Sequence, residues 1–166
     1  FDELARQAAQ GTVVYNDDTT MRILTLTQEA RAEALPAGAS ADRTGVFTSG
    51  VVAETPNGLI ALFKTGPCHA GEHLAEVLDL REVTDPPIHM SDASTRNRPG
   101  DHSTLSASCL PHARRNYVDV VEAFPEEVAF VLHTLRAVFH TDAQAKQHGL
   151  SPAERLLLHQ KESGPR

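Results

Sequence analysis

The segment Glu54-Thr55-Pro56-Asn57-Gly58 separates two runs of strand formers, Val46 to Ala53 and Leu59 to Lys64. Asn-Gly between two apolar runs is the strongest short-range signal for a β-hairpin, since both residues tolerate the positive φ of a tight turn. An antiparallel pair is therefore expected here. Two more runs of β-branched and aromatic residues precede it, Thr12 to Tyr15 and Met21 to Leu26, joined by Asp17-Asp18-Thr19-Thr20. A short helix over residues 2–9, stopped at Gly11, opens the chain. Residues 30–42, with Pro36 and Gly38, show no strand period and read as a surface insertion.

After Gly66-Pro67 the period changes. Leu74, Val77, Leu78 and Arg81 share one face at helical spacing, with Ala70 at the start. Asp85-Pro86-Pro87 ends that helix and launches a strand, Ile88-His89-Met90-Ser91; Leu105 to Leu110 is a further short strand. Beyond it the pattern is helical. Val128, Val131, Leu132, Leu135, Val138 and Phe139 form an apolar stripe behind Pro125, and Ser151-Pro152-Ala153-Glu154 is a capping box for a last helix. Hairpin strands followed by a crossover to parallel strands predict an α/β fold, a mixed sheet with flanking helices. Right-handed crossover favours a central first strand with the post-crossover strand beside it. That is the ribonuclease H-like arrangement.

Asp17 then follows one core strand and Asp92 follows its neighbour. An acidic residue closing a buried strand needs a positive or hydrogen-bonding partner. Two such carboxylates side by side suit a divalent ion in phosphoryl transfer. The plain alternative is a turn-forming aspartate, and alternation of strand side chains lets only one of Asp17 and Asp18 face a common site. A net charge of -7 argues against avid nucleic-acid binding by the chain as a whole. Arg96, Arg98, Arg114 and Arg115 nevertheless gather after Asp92, opposed there by Asp101 alone. Cys109-x-x-His112 lacks a second pair at zinc spacing, although Cys68 and His69 are in the chain. His69 and His73 are four apart, but Glu72 is misplaced for a zinc-protease motif. No apolar run approaches the roughly 20 residues that cross a bilayer, and two cysteines give no disulfide framework, so a cytoplasmic protein without a membrane partner is expected. The opening Phe1 and the ending Gly164-Pro165-Arg166 read as the ends of a piece of a longer protein.

The ordered segments Tyr15-Asn16-Asp17-Asp18-Thr19-Thr20, Arg43-Thr44-Gly45-Val46-Phe47-Thr48-Ser49-Gly50 and His69-Ala70-Gly71-Glu72-His73-Leu74 carry a family resemblance. So do Met90-Ser91-Asp92-Ala93-Ser94-Thr95-Arg96-Asn97, Cys109-Leu110-Pro111-His112-Ala113-Arg114-Arg115, Phe124-Pro125-Glu126-Glu127 and Gly149-Leu150-Ser151-Pro152-Ala153-Glu154. Together they cover nearly the whole chain, which resembles the DDE transposases of the insertion sequence 66 family. The resemblance implies a ribonuclease H-like catalytic core over residues 1–123 and a helical insertion over 124–166. It implies catalytic, metal-binding roles for Asp17 and Asp92, with Mg²⁺ or Mn²⁺ as cofactor. The third carboxylate, a glutamate on a later helix, is expected beyond Arg166, so that the chain alone is inactive. Transposon-end DNA is the implied partner, held by Arg96, Arg98, His112, Arg114 and Arg115 in a bacterial, nucleoid-associated protein. A sheet face left uncovered would favour a homo-oligomer.

Two other readings stand beside this one. A truncated remnant would fold or self-associate without cutting DNA. A stand-alone nuclease would need a third acid within the chain, for which Asp101 and Glu122 are available but match no motif.

Overall fold

The computed structural model describes residues 1–21, 27–33, 35 and 45–164. These form two compact units, Phe1–Cys109 and Leu110–Arg166. In the first unit, α1 (Asp2–Ala9) leads into β1 (Val13–Met21), followed by α2 (Gln28–Glu33), β2 (Val46–Thr55) and β3 (Gly58–Gly66). Then come α3 (Ala70–Leu78), β4 (Ile88–Ser91), a 3₁₀ turn (Thr95–Asn97) and β5 (Leu105–Ser108). The five strands make one mixed sheet in the order β3-β2-β1-β4-β5. β1 is central, antiparallel to β2 and parallel to β4, as the element order predicts.

The hairpin forms one residue earlier than the Asn-Gly signal indicates. Thr55 pairs with Gly58, so Pro56 and Asn57 are the loop residues and Gly58 begins β3 with φ +124°. Proline's fixed φ suits the first corner of a turn, which leaves the positive φ to the glycine. A second correction concerns Asp17-Asp18-Thr19-Thr20, expected as a connector. These residues continue β1, paired with Gly50, Ser49, Thr48 and Phe47. The long β2 supplies a partner for every one of them, and β-branched Thr19 and Thr20 suit the extended backbone. Asp17 therefore stands within a strand rather than at its end. Of the expected strand Met21–Leu26, Met21 closes β1 and residues 22–26 lie outside the described residues. Within 30–42, α2 holds residues up to 33, while 34 and 36–42 lie outside the description. Leu105 opens β5, but the strand stops at Ser108, and Leu110 begins a helix instead.

Alternation along the strands sorts the sheet into two faces. Val14, Val51, Ala53 and Leu62 point to the face covered by α1 and α3, where Ala5, Ala8, Ala9, Leu74, Val77 and Leu78 complete the core. The alanines let α1 approach the sheet closely. Leu74 is fully buried. On the other face Leu59, Phe63, Ile88 and Leu105 are exposed. Arg81, expected on the apolar face of α3, lies past its end and donates to the carbonyls of Ala9 and Gly11.

The second unit contains α4 (Leu110–Asp119), α5 (Pro125–Gln147) and α6 (Pro152–Glu162). Ser151 Oγ and Glu154 close the expected capping box. Arg155 and Lys146 donate to Asp142, at 2.6 and 2.7 Å, and hold its carboxyl down at about 2. Val128 of the predicted stripe is buried, whereas Phe139 remains exposed. No described helix is long and apolar enough to cross a membrane.

Candidate functional site

β4 contributes only four residues because Asp92-Ala93-Ser94 turns the chain out of the sheet. Asp92 Oδ1 accepts from the Ser94 amide at 2.8 Å, a side-chain-closed turn that aspartate favours. Ala93 takes φ +68°, a conformation that costs an L-residue about 1 kcal/mol. Ala93→Gly is accordingly expected to stabilise the protein by about 0.5 kcal/mol, the relief of that strain being partly offset by glycine's larger unfolded-state entropy. A lowered thermal midpoint in the variant would contradict the account.

The same Oδ1 also accepts from Asn97 Nδ2 at 2.7 Å. Asn97, in the 3₁₀ turn, is buried, and its carbonyl accepts from Asn16 Nδ2 of β1 at 2.8 Å. Asn16 Oδ1 in turn meets His89 Nε2 of β4 at 2.7 Å. Because that oxygen can only accept, the imidazole carries its proton on Nε2. Burial pushes His89 below its ordinary value, which keeps the ring neutral. A hydrogen-bonded chain thus runs from the sheet interior to the Asp92 carboxylate. Two inward polar side chains, Asn16 and His89, sit amid apolar strand residues. Buried polar groups require partners, and this was the sequence signal that could have revealed the network.

β1 separates its two acids. Asp18 turns toward α3: its Oδ2 lies 3.4 Å from the Ala70 amide and 3.5 Å from His69 Nδ1. His69 also packs its ring on Phe47, with centroids 4.4 Å apart. Asp18 therefore meets the positive end of the α3 dipole. Asp17 belongs to the opposite face and is exposed; its Oδ1 accepts from the Asp18 amide at 2.9 Å. Gly50 stands across from it on β2, with Phe63 beyond on β3.

Val13, Val14 and Tyr15 pair in register with Ile88, His89 and Met90. The pairing stops there, two residues before Asp17 in β1 and Asp92 in the turn after β4. Among the described residues, no group of three His, Cys, Asp or Glu is placed to hold a metal ion. Two carboxylates do fit the chemistry of Mg²⁺, which commonly takes one or two of them, keeps several waters and leaves the rest to substrate phosphates.

Arg96 lies in the 3₁₀ turn and Arg98 just after it, both exposed. Together with His69, Gly71, Glu72, Ala75, Thr95 and Gly100 they line a groove of 390 Å³ beside the start of α3. His112, Arg114 and Arg115 belong to the second unit, His112 in the first turn of α4 and the two arginines just after it. Arg114 shares a groove there with Leu132, His133, Arg136 and Phe139 of α5. The structure therefore brings Asp17, Asp92, Arg96 and Arg98 into one unit and sets the remaining three in the other. Neither Cys109 nor Cys68 is in a disulfide, and Cys109 is tied to β4 by its amide, 2.8 Å from the Ser91 carbonyl.

The family model described as "Transposase IS66 family" matches residues 1–166. No curated protein and no solved structure matches the chain.

Proposed function

The chain belongs to the IS66 family of transposases, and on that premise we propose that it serves metal-dependent cleavage and transfer of DNA strands through Asp17 and Asp92. The observation that supports this reading is the parallel β1–β4 pairing, which runs to Tyr15↔Met90, two residues before Asp17 and Asp92. Adjacent strands lie about 4.8 Å apart, a spacing that two ligands of one ion, each about 2.0–2.1 Å from it, can bridge. The strand order β3-β2-β1-β4-β5, with the antiparallel hairpin first and two parallel strands after, supports a ribonuclease H-like core.

Asp17 and Asp92 would hold Mg²⁺ or Mn²⁺ through hard carboxylate oxygens. When bound, such ions activate the attacking water or 3′-hydroxyl and stabilise the leaving oxygen. The chain's own residues do the rest. Ser94 and Asn97 orient the Asp92 carboxylate through one of its oxygens. Arg96 and Arg98, flanking the start of α3, offer planar guanidinium groups to the phosphates of transposon-end DNA. His112, Arg114 and Arg115 offer DNA-binding groups on the second unit. The acidic body restricts DNA to these local basic lips and makes binding salt-dependent. On this reading the protein works on chromosomal DNA in the bacterial cytoplasm.

The test is strand cleavage by the protein expressed from its complete gene, on duplexes carrying the element's ends. Cleavage is expected with Mg²⁺ or Mn²⁺, to stop when EDTA removes the ion and to return when it is restored. Cleavage that persists in EDTA, or none with any divalent ion, would reject the proposal.

A further inference from the structure

We propose that Asn97, braced from the sheet by Asn16 and His89, is the residue that positions the Asp92 carboxylate. The inference rests on the reading of Asp92 as a metal ligand and adds to it the group that aims the ligand.

Asp92 lies one residue past the end of β4, where strand alternation no longer dictates the direction of its side chain. Two donors replace that control, the Ser94 amide and Asn97 Nδ2, and both converge on Oδ1. Among the described residues none donates to Oδ2, so one oxygen is anchored and the other is left for an ion. Asn97 can hold its aim because it is itself held. It is 3% exposed, and its carbonyl accepts from the Asn16 amide, which is 4% exposed. Asn16 is locked in turn by His89, 3% exposed, on the neighbouring strand. The backbone around Asn97 is pinned from outside as well: α3 comes so close at Gly71 that a β-carbon there would meet the Arg96 and Arg98 carbonyls.

This is the arrangement by which outer hydrogen bonds orient a metal-ligating carboxylate, and removal of such a partner typically costs about 10–100-fold in metal affinity or activity. Neither Asn16 nor Asn97 carries charge, so the network orients Asp92 without competing with its attraction for a cation. A merely structural asparagine would affect folding and leave the affinity of the folded protein unchanged.

The experiment is a Mn²⁺ titration of the protein expressed from its complete gene, with free Mn²⁺ read by electron paramagnetic resonance. Wild type, Asp92→Asn and Asn97→Ala are compared at a temperature where circular dichroism shows all three folded. Saturable binding by wild type, lost in Asp92→Asn and weakened about 10–100-fold in Asn97→Ala, is the expected result. Should Asn97→Ala fold poorly, Asn97→Ser keeps a polar group in the network but falls short of the carboxylate, and the same weakening is expected. Unchanged or tighter Mn²⁺ binding in a folded Asn97 variant, with Asp92→Asn defective, overturns the positioning role and leaves the site intact. Wild-type binding that survives Asp92→Asn, or no wild-type binding at all, overturns the metal reading of Asp92 and this inference with it.

Discussion

Asp17→Asn and Asp92→Asn are each expected to lower metal-dependent strand cleavage by about 10³-fold while leaving the thermal midpoint within a few degrees of wild type. The size follows from the ion's contribution. Stabilising the developing charge is worth several kcal/mol, and about 4 kcal/mol corresponds to three powers of ten in rate. The fold should survive because an amide oxygen still accepts the bonds that the carboxylate accepts now. At position 92 those come from Ser94 and Asn97, and at position 17 one comes from the Asp18 amide. Asp18→Asn is the internal control. Its carboxylate faces the Ala70 amide and His69 rather than the Asp17 face, so its loss should cost a few tenths of a kcal/mol of stability through the α3 dipole and spare most of the activity. Single-turnover cleavage measured on the three variants decides the assignment. An active Asp17→Asn beside a dead Asp18→Asn would move the ligand role to the other face of β1.

The second large effect belongs to a residue that bears no functional group. Gly71→Ala is expected to destabilise the protein by about 2 kcal/mol. A β-carbon there would stand 2.2 Å from the Arg98 carbonyl oxygen and 2.5 Å from that of Arg96. Both obstacles are backbone, so no side chain can swing aside, and α3 must separate from the 3₁₀ turn. Overpacking of this kind costs up to about 3 kcal/mol, and alanine's better helix propensity returns up to about 1 kcal/mol. The displaced turn carries Asn97, so the loss should extend to the Asp92 site. Chemical denaturation checks the first part: a Gly71→Ala protein as stable as wild type would show that the close approach is relaxed at no cost. Thermal melts of the same variant with and without Mn²⁺ check the second, since a weakened site gives a smaller metal-induced rise in midpoint.

Much of the sheet was legible because its signals are local. The β2–β3 hairpin lies between Val46 and Gly66, its two strands joined by a tight turn, and Pro56 with Gly58 admits few turn geometries. The break at Gly66-Pro67, the helix over Ala70–Leu78 and the strand after Pro87 are likewise set by neighbours in the chain. So are the capping box at Ser151 and the start of α5 at Pro125. Asp17 and Asp92 were visible as acids beside apolar runs; Asp92 follows its strand as expected, whereas Asp17 lies inside β1. The extent of β1 was hidden because Asp17-Asp18-Thr19-Thr20 has turn-like composition; only pairing with the long β2 makes it a strand.

The tertiary structure alone decided which side each acid takes and what holds it. Asn16 and His89 are 73 residues apart in sequence and Asn16 and Asn97 are 81 apart, so no window along the chain contains the pair that braces Asp92. Their inward direction follows from strand parity, and their contact follows from the β1–β4 register. That register depends on the crossover through α3 and on the approach of α3 at Gly71. Side-chain type and spacing along one chain specify elements. Which polar groups meet inside a fold is specified by burial, because each must find a partner among those the packed elements bring within reach.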